Sequence, residues 1–115
     1  MAASGTPRIR LLHIRDEIDG VAAALRGVTF ESYCESYTLR RTTERALQII
    51  SEAAKSLPPE LTGRFPDAPW RGIIGIGNIL RHEYQRVDNR LLWDIATVRL
   101  PELRVVILSM LEGNG

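Results

Sequence analysis

The chain has 115 residues, 25% of them charged and 44% hydrophobic, with a formal net charge of +1. That composition fits one soluble globular domain over residues 1–115; it excludes a disordered chain, a second core of useful size, and a global charge that would itself recruit nucleic acid. No apolar run approaches the roughly 20 residues of a membrane span, and charges interrupt "MAASGTPRIRLLHIRDEI" before a secretory segment can form, so the expectation is a cytoplasmic protein with no membrane partner.

Apolar positions recur at helical spacing nearly everywhere, which makes the chain all-α. Leu11, Ile14, Ile18, Val21 and Leu25 line one face of a first helix from about Arg8 to Leu25, and Gly27 ends it. His13 lies on that helix without a partner visible in sequence. Thr29 suits the N-cap of "FESYCESYTLRRTTERALQIISEAAKSL", one helix or two joined near Tyr37 to Leu39. Cys34 is the only cysteine, which precludes an internal disulfide and leaves the role of a small buried hydrophobe. Lys55 is the only lysine; the other fourteen basic residues are arginine, the side chain that grips phosphates bidentately, although GC-rich coding also favours it.

Pro58 and Pro59 stop the second helical segment, and "PPELTGRFPDAPW" reads as a loop with one short turn around Glu60. Pro69 is placed to open a third helix running from Trp70 to about Tyr84. Asp88 then caps a fourth, "NRLLWDIATVRLPELRVVILSMLEGNG", which Pro101 should kink or restart. Trp70 and Trp93 read as core residues. Four to five helices with short connections predict an up-and-down bundle.

The third helix carries the chemistry. At 100° per residue, Arg71, Gly75, Asn78 and His82 fall within about 60° of arc on a helix otherwise apolar all round. A polar stripe on a buried helix must be satisfied by neighbours or open to a cleft, so Asn78 and His82 should have partners, of which each other is the plainest. Gly75 and Gly77 each cost about 1 kcal/mol relative to alanine inside a helix, which implies close approach of another helix or room for a ligand. They are no dinucleotide fingerprint, since no strand precedes them. The helix ends among Arg81, His82, Tyr84, Arg86 and Arg90, where helical spacing would let Arg81 converge with Tyr84 and His82 with Arg86. A histidine that moves protons beside arginines that hold a phosphate suits RNA cleavage by attack of the neighbouring 2′-hydroxyl. No metal-ligand spacing occurs, and no cofactor is expected.

The ordered set "RALQIISEAAKSLP", "PWRGIIGIGNILRHEYQRVDNRLLWDI" and "LPELRVVIL" resembles the HepT-like toxins of the HEPN superfamily over nearly the whole chain. The resemblance implies a HEPN-like helical bundle that forms a homodimer with a shared cleft. It implies the toxin of a bacterial toxin–antitoxin pair, a metal-independent endoribonuclease with tRNA among the targets of its relatives. The implied partner is a minimal nucleotidyltransferase (MntA-like) antitoxin that adds AMP to the motif tyrosine.

Carried onto this chain, the family motif Arg-x4-His-x-Tyr places His82 and Tyr84 as catalytic residues, retains Asn78 after the arginine position, and makes Tyr84 the AMP acceptor. The arginine position itself is Gly77. Loss of such a charge can cost on the order of 10² to 10³ in rate. Arg81, adjacent to His82, is a replacement; Arg71 and Arg86 are candidate binders of substrate phosphate. Arg71 lies about 16 Å along the axis from His82 and would serve through a dimer partner. Glu52 could orient His82 or Arg81, or simply face solvent. The alternative is a catalytically impaired nucleotide- or partner-binding module, or a structural helical dimer whose glycines serve packing alone.

Overall fold

The computed structural model describes residues 6–113 and bears out the all-α expectation, with no strand among them. Helix α1 (Pro7–Ala24) starts on a proline at its first position and buries Leu11, Ile14, Ile18 and Val21. Gly27, at φ 73°, turns the chain in the left-handed region that a side chain would resist. The long second segment divides into α2 (Phe30–Glu35) and α3 (Tyr37–Lys55). Ser36 makes the division, its hydroxyl accepting the Leu39 amide at 3.1 Å, as Thr29 accepts the Ser32 amide at 3.1 Å to open α2.

After the short turn α4 (Pro59–Thr62), α5 spans Trp70–His82. Pro69 stands just outside it as the N-cap rather than as its first residue. The predicted extension to Tyr84 does not occur: Glu83 leaves helical geometry at φ −139°, ψ 42°, and Tyr84–Arg86 form a separate 3-10 turn. Asp88 caps α6 (Asn89–Asp94) by accepting the Leu91 amide at 2.7 Å. Pro101, which lacks an N–H and crowds the preceding turn, stands in the first turn of α7 (Leu100–Leu111), where the α-helix restarts as expected. A π-helical stretch, Ile95–Arg99, carries the chain directly from α6 into α7.

Helix α3 is central, packed against α1 on one side and α5 on the other, and α7 covers α1. Its inward face contributes Thr43, Ala46, Leu47, Ile50, Ser51, Ala53 and Ala54 to the interior. Trp93 packs on Phe30 and Tyr33, with ring centroids 5.9 and 5.4 Å apart, and so fastens α2 to α6. Cys34 is half-buried rather than a full core residue. Trp70 is also half-buried, its indole N–H donating to the Phe65 carbonyl at 3.0 Å. Among the described residues no helix is long and apolar enough to cross a membrane. Helix α5 therefore lies at the edge of the bundle, with α3 on one flank and a groove on the other.

Candidate active site at the end of α5

Gly77 is the point of closest approach between α5 and α3. A Cβ built there would lie 2.0 Å from the Ser51 Oγ and 2.5 Å from the Ser51 Cβ. The Ser51 hydroxyl fills that space and donates to the Ile74 carbonyl at 3.0 Å. Gly77 is thus a packing glycine, whereas Gly75 has nothing within 4 Å of an added Cβ and faces open space. Of the two explanations for helical glycines, Gly77 meets the first and Gly75 leaves room for the second.

Arg81 is one turn beyond Gly77 on the same edge of α5, and it meets α3 as well. Its guanidinium donates to Glu52 Oε2 at 3.0 Å. Glu52 therefore orients Arg81, not His82. His82 is the exposed last residue of α5, and Asn78, one turn earlier, is also exposed. Of the two expectations for a polar stripe, satisfaction by neighbours or exposure, the position of α5 at the edge of the bundle gives the second, and neither residue needs a protein partner. Arg71 is exposed at the opposite end of α5 from His82, so a single chain does not bring the two together.

The early end of α5 also undoes two expected convergences. Tyr84 does not share a helix face with Arg81, nor Arg86 with His82, because a non-helical residue intervenes. Arg86 instead pairs with Glu83. Arg90 pairs with Asp94 at 3.8 Å and lays its guanidinium over Phe30 at 3.9 Å. The basic cluster that the sequence suggests around His82 is thus largely neutralised by local carboxylates.

A guanidinium from α3 also reaches the site, paired like the others with a carboxylate. Tyr84 projects from its turn, 53% exposed, with the Arg41 guanidinium 5.8 Å from its ring centroid. The same guanidinium lies 4.8 Å from the ring of Tyr37 and is held by both oxygens of Glu44 at 2.9 Å. The Tyr37 side chain first, and the Glu44 carboxylate next, hold the Arg41 pKa above its ordinary value, so it stays charged. Arg40, Arg41, Glu44, Tyr84, Gln85, Val87 and Asn89 enclose a hollow of about 280 Å³. These α3 residues escape a reading confined to the third helix; the four-residue steps from Tyr37 to Arg41 to Arg45 are the signal that marks them as one face.

His13, also exposed, lines a separate groove between α1 and α3 with Arg10, Arg45 and Glu52. On the outer flank of α5, Pro69, Gly72, Gly75, Ile79, Leu91 and Ile95 border an apolar groove of about 380 Å³. Among the described residues no three His, Cys, Asp or Glu side chains converge in a way that could hold a metal ion.

Comparison with known proteins gives the family of the chain. The family model described as "Ribonuclease HepT-like" matches residues 14–110. The chain is 35% identical over 107 residues to "Putative RNase TTE0752" of Caldanaerobacter subterraneus subsp. tengcongensis, covering 93% of this chain and 96% of that protein. It is 31% identical over 91 residues to "Probable ribonuclease HepT" of Thermococcus cleftensis, covering 79% and 83%. It is 29% identical over 94 residues to "Putative RNase MJ1380" of Methanocaldococcus jannaschii, covering 82% and 86%. No solved structure matches.

Proposed function

This chain belongs to the HepT-like ribonuclease family, and we propose that it is the toxin of a toxin–antitoxin pair, a cytoplasmic endoribonuclease that cleaves RNA, tRNA included, without a metal. The observation that carries the reading is the disposition of the end of α5. His82 is exposed on the last helical residue, Arg81 beside it is anchored by Glu52 at 3.0 Å, and Tyr84 is exposed two residues on. In the proposed reaction His82 accepts the proton of a ribose 2′-hydroxyl as that oxygen attacks the adjacent phosphorus. The bond to the 5′-oxygen breaks, and the leaving oxygen takes up a proton, giving a 2′,3′-cyclic phosphate and a 5′-hydroxyl. Arg81 offsets the charge that develops on the phosphoryl oxygens, and Asn78 contributes a hydrogen bond from the preceding turn. Arg86 contacts a neighbouring phosphate by exchanging Glu83 for it.

Two copies would meet across the apolar groove flanking α5. Open space at Gly72 and Gly75 supports the close approach of another backbone there, and the exposed Leu91 supplies apolar surface. In such a dimer Arg71 of one copy can serve the cleft of the other. The exposure of Tyr84 supports control by a minimal nucleotidyltransferase: its phenolic oxygen would attack the α-phosphorus of ATP, pyrophosphate would leave, and the new AMP would bring bulk and negative charge beside His82.

The purified protein incubated with tRNA should yield 2′,3′-cyclic phosphate ends, and His82→Ala should abolish them. Equal cleavage by the variant refutes the assignment of His82. A second reading, a binding module that has lost catalysis, is favoured by one observation: the motif arginine is replaced by a glycine whose side-chain space Ser51 occupies. It predicts nucleotide or partner binding without cleavage by the native protein. Mass spectrometry after coexpression with the nucleotidyltransferase separates out the modification, which predicts AMP-sized mass increments on Tyr84.

A further inference from the structure

We propose that Tyr37, Arg41 and Tyr84 form a stacking subsite that holds one unpaired base of the RNA beside the cleavage position. The inference rests on the ribonuclease reading for its substrate, and on the surface of α3 for its site. Among the described residues, the exposed large hydrophobic side chains include two aromatics, Tyr37 at 65% and Tyr84 at 53% exposure. They come from different elements, the first turn of α3 and the turn after α5, yet both pack against the guanidinium of Arg41.

Local hydrogen bonds fix the backbone positions from which the three groups project. Tyr37 follows the Ser36 cap that fixes the start of α3. Glu44, only 18% exposed in its side chain, holds one nitrogen of the Arg41 guanidinium with both carboxylate oxygens. Tyr84 lies in the turn between the end of α5 and the Asp88 cap of α6. Aromatic rings and a planar guanidinium are the surfaces on which unstacked bases settle, because every base has a π-face. The adjoining hollow of about 280 Å³ is smaller than the range of roughly 300 to 1,000 Å³ for drug-sized ligands, which suits a single base. Gln85 and Asn89 on its wall offer donors and acceptors to the base edge.

Glu44 balances the charge of Arg41, so Arg41 serves as a stacking plane. Phosphate attraction falls to Arg45, one turn along α3 on the same face, which is exposed and makes no ion pair among the described residues. Tyr84 is two residues after His82, which sets the held base next to the attacked phosphodiester. A duplex cannot present a base face to this site, so the enzyme would take single-stranded or looped RNA there.

The test measures equilibrium binding of a fluorescently labelled single-stranded RNA, and of a blunt-ended, fully paired RNA duplex, to full-length protein carrying His82→Ala to prevent cleavage. Adding Tyr37→Ala should weaken single-strand binding by on the order of 10- to 100-fold, Tyr37→Phe should restore most of it, and duplex binding should not change. Thermal melts verify that each variant folds. Single-strand binding by Tyr37→Ala within twofold of its parent, an equal loss on the duplex, or no binding of single-stranded RNA at all overturns the subsite. So does a Tyr37→Ala protein that binds RNA normally but is no longer modified by the nucleotidyltransferase, which would assign the surface to a protein partner. Failure of the ribonuclease reading is distinguishable: the native protein then leaves RNA uncut, whether or not binding depends on Tyr37.

Discussion

Gly77→Ala should destabilise the protein although it replaces a helical glycine with the best helix former. The added methyl would lie 2.0 Å from the Ser51 Oγ and 2.5 Å from its Cβ, against an optimal carbon–carbon separation of about 3.5 to 4.0 Å. Relief requires α3 and α5 to separate or Ser51 to turn away from the Ile74 carbonyl, which it bonds at 3.0 Å. Overpacking of this kind costs about 1 to 3 kcal/mol and a lost hydrogen bond about 1 kcal/mol. Helix propensity returns about 1 kcal/mol, leaving a net loss of roughly 1 to 3 kcal/mol. Urea denaturation at unchanged m-value measures it. Ser51→Gly removes both close atoms and leaves the Cα at 3.9 Å, an ordinary contact. The double variant should therefore be more stable than the two single losses added together, by about 1 kcal/mol or more. Gly77→Arg should unfold the protein further rather than restore a motif. A Gly77→Ala protein as stable as the native one, or a folded Gly77→Arg protein with faster RNA cleavage, would refute the reasoning.

Glu52→Gln should change stability by no more than about 1 kcal/mol, since both partners of its pair with Arg81 are exposed. It should instead steepen the salt dependence of RNA binding by about one unit of slope as Arg81 is released to phosphate, and Arg81→Ala should lower the slope by a similar amount. Tyr33 gives the alkaline behaviour: burial, the largest cause, raises its phenol above the ordinary 10.0, so the folded state holds the proton more tightly than the unfolded chain. Its contribution to stability is constant below about pH 10 and declines as pH rises from there through the folded pKa, because only the unfolded phenol ionises readily. Melting temperatures of the native protein and Tyr33→Phe, measured from neutral pH into the alkaline range, should show a steeper fall for the native protein.

What the sequence discloses follows the range of the forces involved. Thr29 and Asp88 cap through hydrogen bonds that span three residues, so both are legible in sequence, and apolar spacing places the buried face of α1. The end of α5 is not legible, because "RHEYQRV" contains neither glycine nor proline. The chain breaks at Glu83 as it turns into the Asp88 cap of α6. Pro101 marks the restart of the last helix, but the π-helical stretch before it is not legible, because it forms where that helix packs against α1, far away in sequence. At the candidate site, His82, Asn78 and Tyr84 can be chosen from spacing and resemblance. The pairings of Arg81 with Glu52 and of Tyr84 with Arg41 join residues far apart in the chain, and local patterns carry no record of them.

The glycine at the motif arginine's position gains a structural consequence from those pairings. An arginine at 77 would meet Ser51, so the side chain and α3 could not both keep their places. With glycine there, α3 closes on α5, and the same approach puts Glu52 within 3.0 Å of Arg81 and Arg41 beside Tyr84. Arg81 is four residues beyond Gly77 and lies on the same edge of the helix. Under the ribonuclease reading, the charge next to the scissile phosphate has moved one turn toward the histidine, and a carboxylate from α3 steers it. The site is then assembled by two helices instead of one. Its activity should depend on Ser51 and Gly77 through the spacing of α3 and α5, although neither side chain reaches the substrate.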